Sequence, residues 1–298
     1  MSNQNEAVDI ISISSSSMLV DLSIHSWTGI KIDRDTTQMV DTVNSTTTNA
    51  GKYSKNLFAG TKDLHEIAKF ESRIRAWNIS QTLPWSDKGQ RMLPSSKFFD
   101  YKKGLTQYES MRKAMIEKFL TNYDALINQA EQALGGLFRR EDYPDKAQVA
   151  KQFEFSYSFL PVPVSGDFRV DIGNEAIVEL HAQFDKSVND RVQTAMADVT
   201  WRLEDCLKRM SERLSDKETG DSAESKKKIF RDTLVTNAQE LCEDLKHLNI
   251  TKNPQIEEAR KQLSSAVNGI SAEALRDSES ARQEVKAQVD DILSKFNW

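Results

Sequence analysis

The chain has 298 residues, of which 38% are hydrophobic and 29% charged, and its formal net charge is −5. This length suffices for one large or two ordinary domains with a sizeable core. The modest hydrophobic content is typical of long solvated helices, and the negative charge argues against a protein that binds polyanions over its whole surface.

The cysteine content and the hydropathy indicate the cellular compartment of the protein. Cys206 and Cys242 are too few for a disulfide framework, so both are interpreted as reduced cytosolic thiols. No apolar run approaches the roughly 20 residues of a membrane span, and the N-terminus has no charged region followed by an apolar core. The sequence therefore predicts an intracellular protein without a membrane partner.

The N-terminal region contains three segments that differ in composition and hydrophobic pattern. Residues 1–17 end in a serine cluster and are expected to form a disordered leader. Apolar and polar residues then alternate over 20–25, which predicts a half-buried strand, and Ile30 with Ile32 predicts a short second strand. The segment 33–50 is rich in Thr, Ser and Asp, and we expect a loop there that contains at most one helical turn.

The stretch from Lys52 to Lys113 combines positive charge with aromatic residues. It contains 13 basic and 6 acidic residues, interleaved with nine aromatic ones. A helix is predicted from Thr61, with Trp77 on its buried side. The segment 80–97 carries two prolines and Trp85, and a polar loop with an aromatic residue is often a contact surface.

The middle of the chain predicts a helix and a hairpin. Helical spacing of apolar residues runs over 101–134 and is expected to end at Gly135. Alternation over 153–159 predicts the clearest strand in the protein, and 168–172 predicts its hairpin partner. We expect this hairpin to pair with the 20–32 region in one small sheet.

From Asn174 onward the sequence predicts long helices. Apolar residues recur every 11 residues over 174–215, which indicates a nearly straight helix about 60 Å long if it is unbroken. Residues 173–298 hold 19 basic and 24 acidic residues. The predicted fold is helix-dominated α+β, with a small antiparallel sheet in an N-terminal domain (18–172) followed by long antiparallel helices (173–298).

Signatures of catalysis are absent from the sequence. It contains no phosphate-binding loop, dinucleotide fingerprint, nucleophile elbow or zinc-protease motif. The four histidines are dispersed, and Cys206 lies on the apolar helix stripe as a small core residue. We therefore expect a protein that is not an enzyme, without catalytic residues, metal or cofactor.

The basic and aromatic stretch predicts a surface for single-stranded nucleic acid. Cations bind phosphates and flat rings stack on unpaired bases, as such a groove requires. Phe98, Phe99 and Tyr101 are too close in sequence to face one core, so at least one is expected to be exposed. The candidate contacts are Arg73, Arg75, Trp85, Lys88, Arg91, Lys97, Phe98, Tyr101, Lys102 and Lys103.

Two functions remain open at this point. The first is non-enzymatic binding of single-stranded nucleic acid in replication, recombination or transcription, by a homo-oligomer assembled through the long helices. The second is a structural or adaptor protein that self-assembles or docks a protein partner through those helices. Segregated charge is compatible with both.

Seven short motifs lie between residues 20 and 175: Lys55-Asn56-Leu57-Phe58-Ala59-Gly60, Arg75-Ala76-Trp77-Asn78, Thr82-Leu83-Pro84-Trp85, Gly135-Gly136-Leu137-Phe138, Asp142-Tyr143-Pro144, Phe159-Leu160-Pro161-Val162-Pro163 and Gly166-Asp167-Phe168-Arg169. Together they resemble an uncharacterised family of proteins encoded by tailed bacteriophages and prophages. The resemblance implies a viral protein in the cytoplasm of an infected bacterial host. It implies no activity and no catalytic residues.

Overall fold

The computed structural model describes residues 10–47, 50–87, 89–164, 174–215, 233–296 and 298. It is 69% helical with a small four-stranded antiparallel sheet, which confirms the predicted helix-dominated α+β fold. The helices are α1 (Ile10–Ser16), α2 (Arg34–Val43), α3 (Asp63–Gln81), α4 (Phe98–Thr121), α5 (Tyr123–Leu134), α6 (Lys146–Ala150), α7 (Asn174–Leu214), α8 (Thr233–Leu248), α9 (Pro254–Val267), α10 (Ala272–Asp277) and α11 (Glu279–Lys295). The strands are β1 (Ser17–His25), β2 (Ile30–Ile32), β3 (Ser54–Asn56), β4 (Leu83–Pro84), β5 (Arg91–Pro94) and β6 (Glu154–Pro161).

The chain divides into two compact units, each built from separated segments. Unit 1 comprises Met1–Asp21, Ile79–Phe99 and Phe159–Trp298, and unit 2 comprises Leu22–Asn78 and Asp100–Ser158. Unit 2 has 17 basic and 15 acidic residues, a net charge of +2, whereas unit 1 has 23 and 30, a net charge of −7. The predicted domain boundary at 172–173 lies outside the described residues and stays a prediction.

The four-stranded sheet has the order β4-β5-β1-β6. β1 pairs antiparallel with β5, with Ser17 opposite Pro94 and Val20 opposite Arg91. The neighbouring position of β1 and β6 confirms the expected sheet for residues 20–25, whereas β2 lies in a separate sheet with β3 and does not join it. The predicted strand at 168–172 lies outside the described residues. In the predicted leader, residues 10–16 form α1, and Ile13 is buried in the core of unit 1.

Unit 1 is built around α7, which is continuous over its 41 residues. The helix contacts α8 and α11, and α9 packs against both of these. Its buried side confirms the predicted stripe, because Val188, Val192, Ala195, Val199, Leu203, Met210 and Leu214 all lie in one core. Cys206 is packed against the same core, and burial raises the pKa of its thiol to about 12.

Unit 2 has a core of interlocking aromatic rings. Phe58 lies at its centre and contacts Trp27, Phe119, Tyr123 and Tyr143 at ring-centroid distances of 5.4 to 5.7 Å. Three of these contacts are edge-to-face, a geometry that ring quadrupoles favour, and the contact with Tyr123 is tilted. This core includes Leu57 and Phe58, which directly follow β3, and Phe138 and Tyr143 from the loop after α5.

Three predicted elements differ from the structure. The expected loop at 33–50 contains α2, which Asp33 caps by accepting a hydrogen bond from the Thr36 amide at 2.9 Å. The expected loop at 80–97 contains β4 and β5, whose two and four residues are too few to show an alternation. The helix predicted over 101–134 is interrupted at Asn122, although it ends at Gly135 as expected.

Candidate functional site

An open cavity of about 1120 Å³ lies in unit 2, beside β2 and α2. It is bounded by β2, by the polar side of α2, by the segment before β3 and by the loop that follows α5. All three residues of β2 line it, whereas β3 contributes only Lys55. The lining residues are Ile30, Lys31, Ile32, Asp33, Arg34, Asp35, Thr37, Gln38, Asp41, Gly51, Lys52, Lys55, Arg139, Glu141 and Asp142.

β2 and β3 form an isolated antiparallel ribbon, with register pairs Ile30–Asn56, Lys31–Lys55 and Ile32–Ser54. At one end the Asp33 amide donates to the Tyr53 carbonyl at 2.9 Å, and at the other the Leu57 amide donates to the Gly29 carbonyl at 2.8 Å. Hydrogen-bonded pairs alternate with non-bonded pairs in such a ladder. Positions 29, 31 and 33 therefore face β3, and positions 30 and 32 face outward.

Among the described residues, no strand lies on the outward edge of β2. In the part of the chain that the structure describes, β3 is the only strand that pairs with β2. The Ile30 amide makes a long contact of 3.4 Å with Thr28 Oγ1, and the described residues provide no partner for the amide of Ile32. Ile30 and Ile32 are also 59% and 48% exposed. The cavity therefore opens on a strand edge with two exposed apolar side chains.

A buried lysine fixes the ribbon to the loop after α5. Lys55 Nζ lies 2.8 Å from Asp33 Oδ2, donates to the Leu137 carbonyl at 3.0 Å, and lies 2.5 Å from Asp142 Oδ2. The last contact is an ion pair outside hydrogen-bond geometry. Lys31, the register partner of Lys55, pairs with Asp142 Oδ1 at 2.7 Å. The Lys55 ammonium thus donates two hydrogen bonds and makes one further ion pair.

This ion cluster shifts the titration of its members toward their charged forms. The hydrogen bond from Lys55 holds the pKa of Asp33 well below its ordinary value. Burial raises the pKa of Asp142, but pairing with Lys31 and Lys55 outweighs burial and lowers it. Burial also lowers the pKa of Lys55, and its two carboxylate partners reverse this effect. A charged, buried lysine held by two carboxylates and a carbonyl in this way has a structural role and is not a nucleophile.

The remaining charges of the cavity are balanced. Its lining contains five basic and five acidic residues. Arg139 pairs with Asp35, which leaves Arg34, Lys52, Asp41 and Glu141 without an ion-pair partner among the described residues. Two cations and two carboxylates are therefore available to a ligand. The site suits a ligand that carries both signs of charge or neither.

The two sides of α2 differ in composition and in their surroundings. Arg34, Gln38 and Asp41 line the cavity, whereas Met39, Val40 and Val43 are exposed and do not. None of the residues of α2 is buried. The helix is held by its cap, by the Arg139–Asp35 pair and by a bond from the Tyr53 amide to Thr37 Oγ1 at 3.0 Å. It forms a polar wall fixed at its N-terminal end.

Three of the predicted nucleic-acid contacts are buried, which corrects their proposed role. Trp85 is 3% exposed in the core of unit 1, with the Arg191 guanidinium 5.3 Å above its ring. Tyr101 is 1% exposed in unit 2 and stacks on Trp77. Lys97 is buried against Asp244 at 2.5 Å. Neither ring has a face available to a base, and Lys97 is already paired with the carboxylate of Asp244.

Two predicted arginines bind the protein's own backbone. Arg91 donates to Thr82 Oγ1 at 2.6 Å and to the Thr82 carbonyl at 3.1 Å. Arg75 donates to the Ile24 carbonyl at 2.9 Å. These guanidinium groups stabilise the ends of short elements.

The other predicted contacts are divided between the two units. Arg73, Lys102 and Lys103 are exposed in unit 2, with Arg73 5.0 Å above the Phe70 ring. Phe98 is half-buried in unit 1 between the rings of Phe99 and Phe159. Phe99 is 81% exposed, which confirms that the three neighbouring rings do not share one core. Lys88 lies outside the described residues.

The residues of the cavity were not predicted as a site. Ile30 and Ile32 were identified as strand residues, but a two-residue alternation gives no information about which edge is paired. An aspartate that precedes a helix is a recognisable N-cap, so Asp33 could have indicated α2. The meeting of Asp33, Lys55 and Asp142 depends on tertiary contacts and has no local signal.

No group of three or more His, Cys, Asp or Glu residues in the described ranges is placed to hold a metal ion. Within the same ranges, no helix combines the length and the apolar character needed to cross a membrane. Comparisons with protein-family models, with curated proteins and with solved structures found no match.

Proposed function

We propose that this chain is a non-enzymatic adaptor that binds a segment of another protein in the cavity of unit 2. The proposal rests on one observation. The outward edge of β2, with which no described strand pairs, lies in a cavity of about 1120 Å³ whose lining has equal numbers of basic and acidic residues. Exposed isoleucines in a concave site supply apolar area, and the four unpaired charges supply specificity. Protein segments offer both kinds of group.

Single-stranded nucleic acid is the competing ligand and fits this site less well. Five carboxylates line the cavity, and they repel phosphates as strongly as the five cations attract them. The buried Trp85 and Tyr101 remove two of the rings on which base stacking depended. The exposed cations Arg73, Lys102 and Lys103 remain the residues through which a nucleic acid would act.

The test compares two classes of ligand on the full chain. A pool of synthetic peptides with alternating Val or Ile and interposed Lys or Glu is titrated by fluorescence anisotropy, in parallel with oligothymidylate at low salt. Peptide binding that Ile30→Asp abolishes, with Arg73→Ala unaffected, supports the adaptor. Oligothymidylate binding that Arg73→Ala weakens, without peptide binding, replaces it with the nucleic-acid function. Binding of neither ligand also refutes the adaptor proposal.

A further inference from the structure

The β2 edge has the geometry of a strand that accepts another strand. β2 pairs with β3 through position 31, so the main-chain groups at positions 30 and 32 point away from the ribbon. An unpaired edge is a template for a further strand, and proteins commonly protect such edges. Here the edge lies in a cavity that is open to solvent.

The side chains of β2 offer an added strand a different environment on each face. Ile30 and Ile32 lie on one face of β2, and Lys31 lies on the other, where it is paired with Asp142. A strand added to β2 would place every second side chain against the two isoleucines. The intervening side chains would lie beside the Lys31–Asp142 pair. Apolar residues in the first set and polar residues in the second match these two environments.

From these features we infer that the partner segment is an extended peptide that adds to β2 as the third strand of the β2–β3 ribbon. The inference rests on the proposed adaptor function and specifies its binding mode. The Ile32 amide and carbonyl supply the central pair of main-chain hydrogen bonds, and Ile30 with Ile32 selects apolar side chains at alternate positions.

The charges of the cavity restrict the sequence of that peptide. Arg34 and Lys52 are available to its acidic side chains, and Asp41 and Glu141 to its basic ones. A segment of mixed charge and near-zero net charge is therefore preferred over a uniformly acidic or basic one.

A second copy of this chain is a poorer occupant of the same site. The edge of β2 lies within a cavity walled by α2 and by the loop after α5. A two-fold axis would bring two concave surfaces together, and concave surfaces of the same shape do not fill each other. A single extended segment is narrow enough to reach the edge.

The experiment uses the tightest peptide from the pool described above. Single N-methyl groups are placed along it in turn, which removes one amide donor at a time without changing the side chains. Methylation at the alternate positions that face β2 is expected to weaken binding about fivefold, the net value of one hydrogen bond, and methylation between them to be tolerated.

Two protein variants test the same bonds from the other side. Ile32→Pro removes the outward amide donor. The β2–β3 ladder keeps all of its donors, because the Ile32 amide points away from β3 and proline is tolerated on strand edges. Ile32→Pro is expected to weaken binding at least fivefold, whereas the matched control Ile32→Val retains the amide and the affinity.

The outcomes separate this binding mode from the adaptor function. Peptide binding that is indifferent to N-methylation at every position overturns strand addition and leaves the adaptor proposal standing. If no peptide in the pool binds, both strand addition and the adaptor proposal are refuted. Should Ile32→Pro unfold the protein, the N-methyl series on the wild-type chain still decides the question.

Discussion

β1 and β2 are two strands with contrasting surroundings. Both alternate aliphatic with polar residues, but Leu19 and Val20 of β1 are buried, whereas Ile30 and Ile32 of β2 are exposed. β1 lies between β5 and β6, so both of its edges are paired. Within the described ranges β2 pairs only with β3, and the cavity lies on its other side. Alternation thus identifies a strand, while the number of its neighbours decides whether it is scaffold or binding surface.

The largest expected effect is on the free energy of unfolding, and it comes from truncating one aliphatic residue of β1 compared with one of β2. Leu19→Ala should lower the free energy of unfolding by about 3 kcal/mol, because it leaves a cavity in a packed core. Ile32→Ala should change it by no more than about 0.5 kcal/mol. Urea unfolding followed by circular dichroism measures both. Equal losses would show that β2 is packed as tightly as β1.

The buried lysine that anchors β2 should come next in magnitude. Lys55→Met leaves Asp33 and Asp142 without their shared cation and should cost about 2 kcal/mol, somewhat less than for a fully enclosed pair because the cavity is open. Lys52→Met in the lining of the same cavity removes a cation that has no ion-pair partner among the described residues, and it is the matched control. Similar unfolding curves for the two variants would refute the structural role of Lys55.

Acid should weaken the same cluster. The folded-state pKa values of Asp33 and Asp142 are lowered, so their contribution to stability is complete above the ordinary aspartate value of 3.8 and is lost as the pH falls below it. Asp33→Asn should flatten the fall in stability between about pH 4 and pH 2. Thermal unfolding at a series of pH values tests this, and an unchanged slope would argue against the pairing.

The smallest expected effect is on the outward side of α2. Val43 is 77% exposed, so Val43→Ser should alter the free energy of unfolding by less than about 0.5 kcal/mol and leave peptide affinity unchanged. A large loss in either measurement would place Val43 in a contact that the described residues do not contain.

Periodicity predicted the elements that are long or have one buried face. The 11-residue repeat of α7 and the alternation in β6 lie in segments long enough for the pattern to be distinct, and both are confirmed. α2 was missed because Thr and Asp have low helix propensity and its apolar residues face away from the core. Its cap was the available signal.

The candidate site was beyond sequence reasoning for a different reason. Trp85 was expected at the surface because it lies between two prolines, but β4 and β5 carry it into the core of unit 1. The site that the structure favours depends on which edge of β2 is paired and on contacts between Lys55 and two distant aspartates. Neither property is encoded in a local pattern.

Native-state amide hydrogen exchange of Lys31, Ile32 and Asp33, measured by NMR with and without the bound peptide, tests the open edge of β2 most directly. The amides of Lys31 and Asp33 face β3 and should be protected in the free protein, whereas the Ile32 amide should exchange rapidly and become protected only when the peptide binds. Protection of Ile32 in the free protein, or its continued rapid exchange in the complex, would contradict strand addition at this edge.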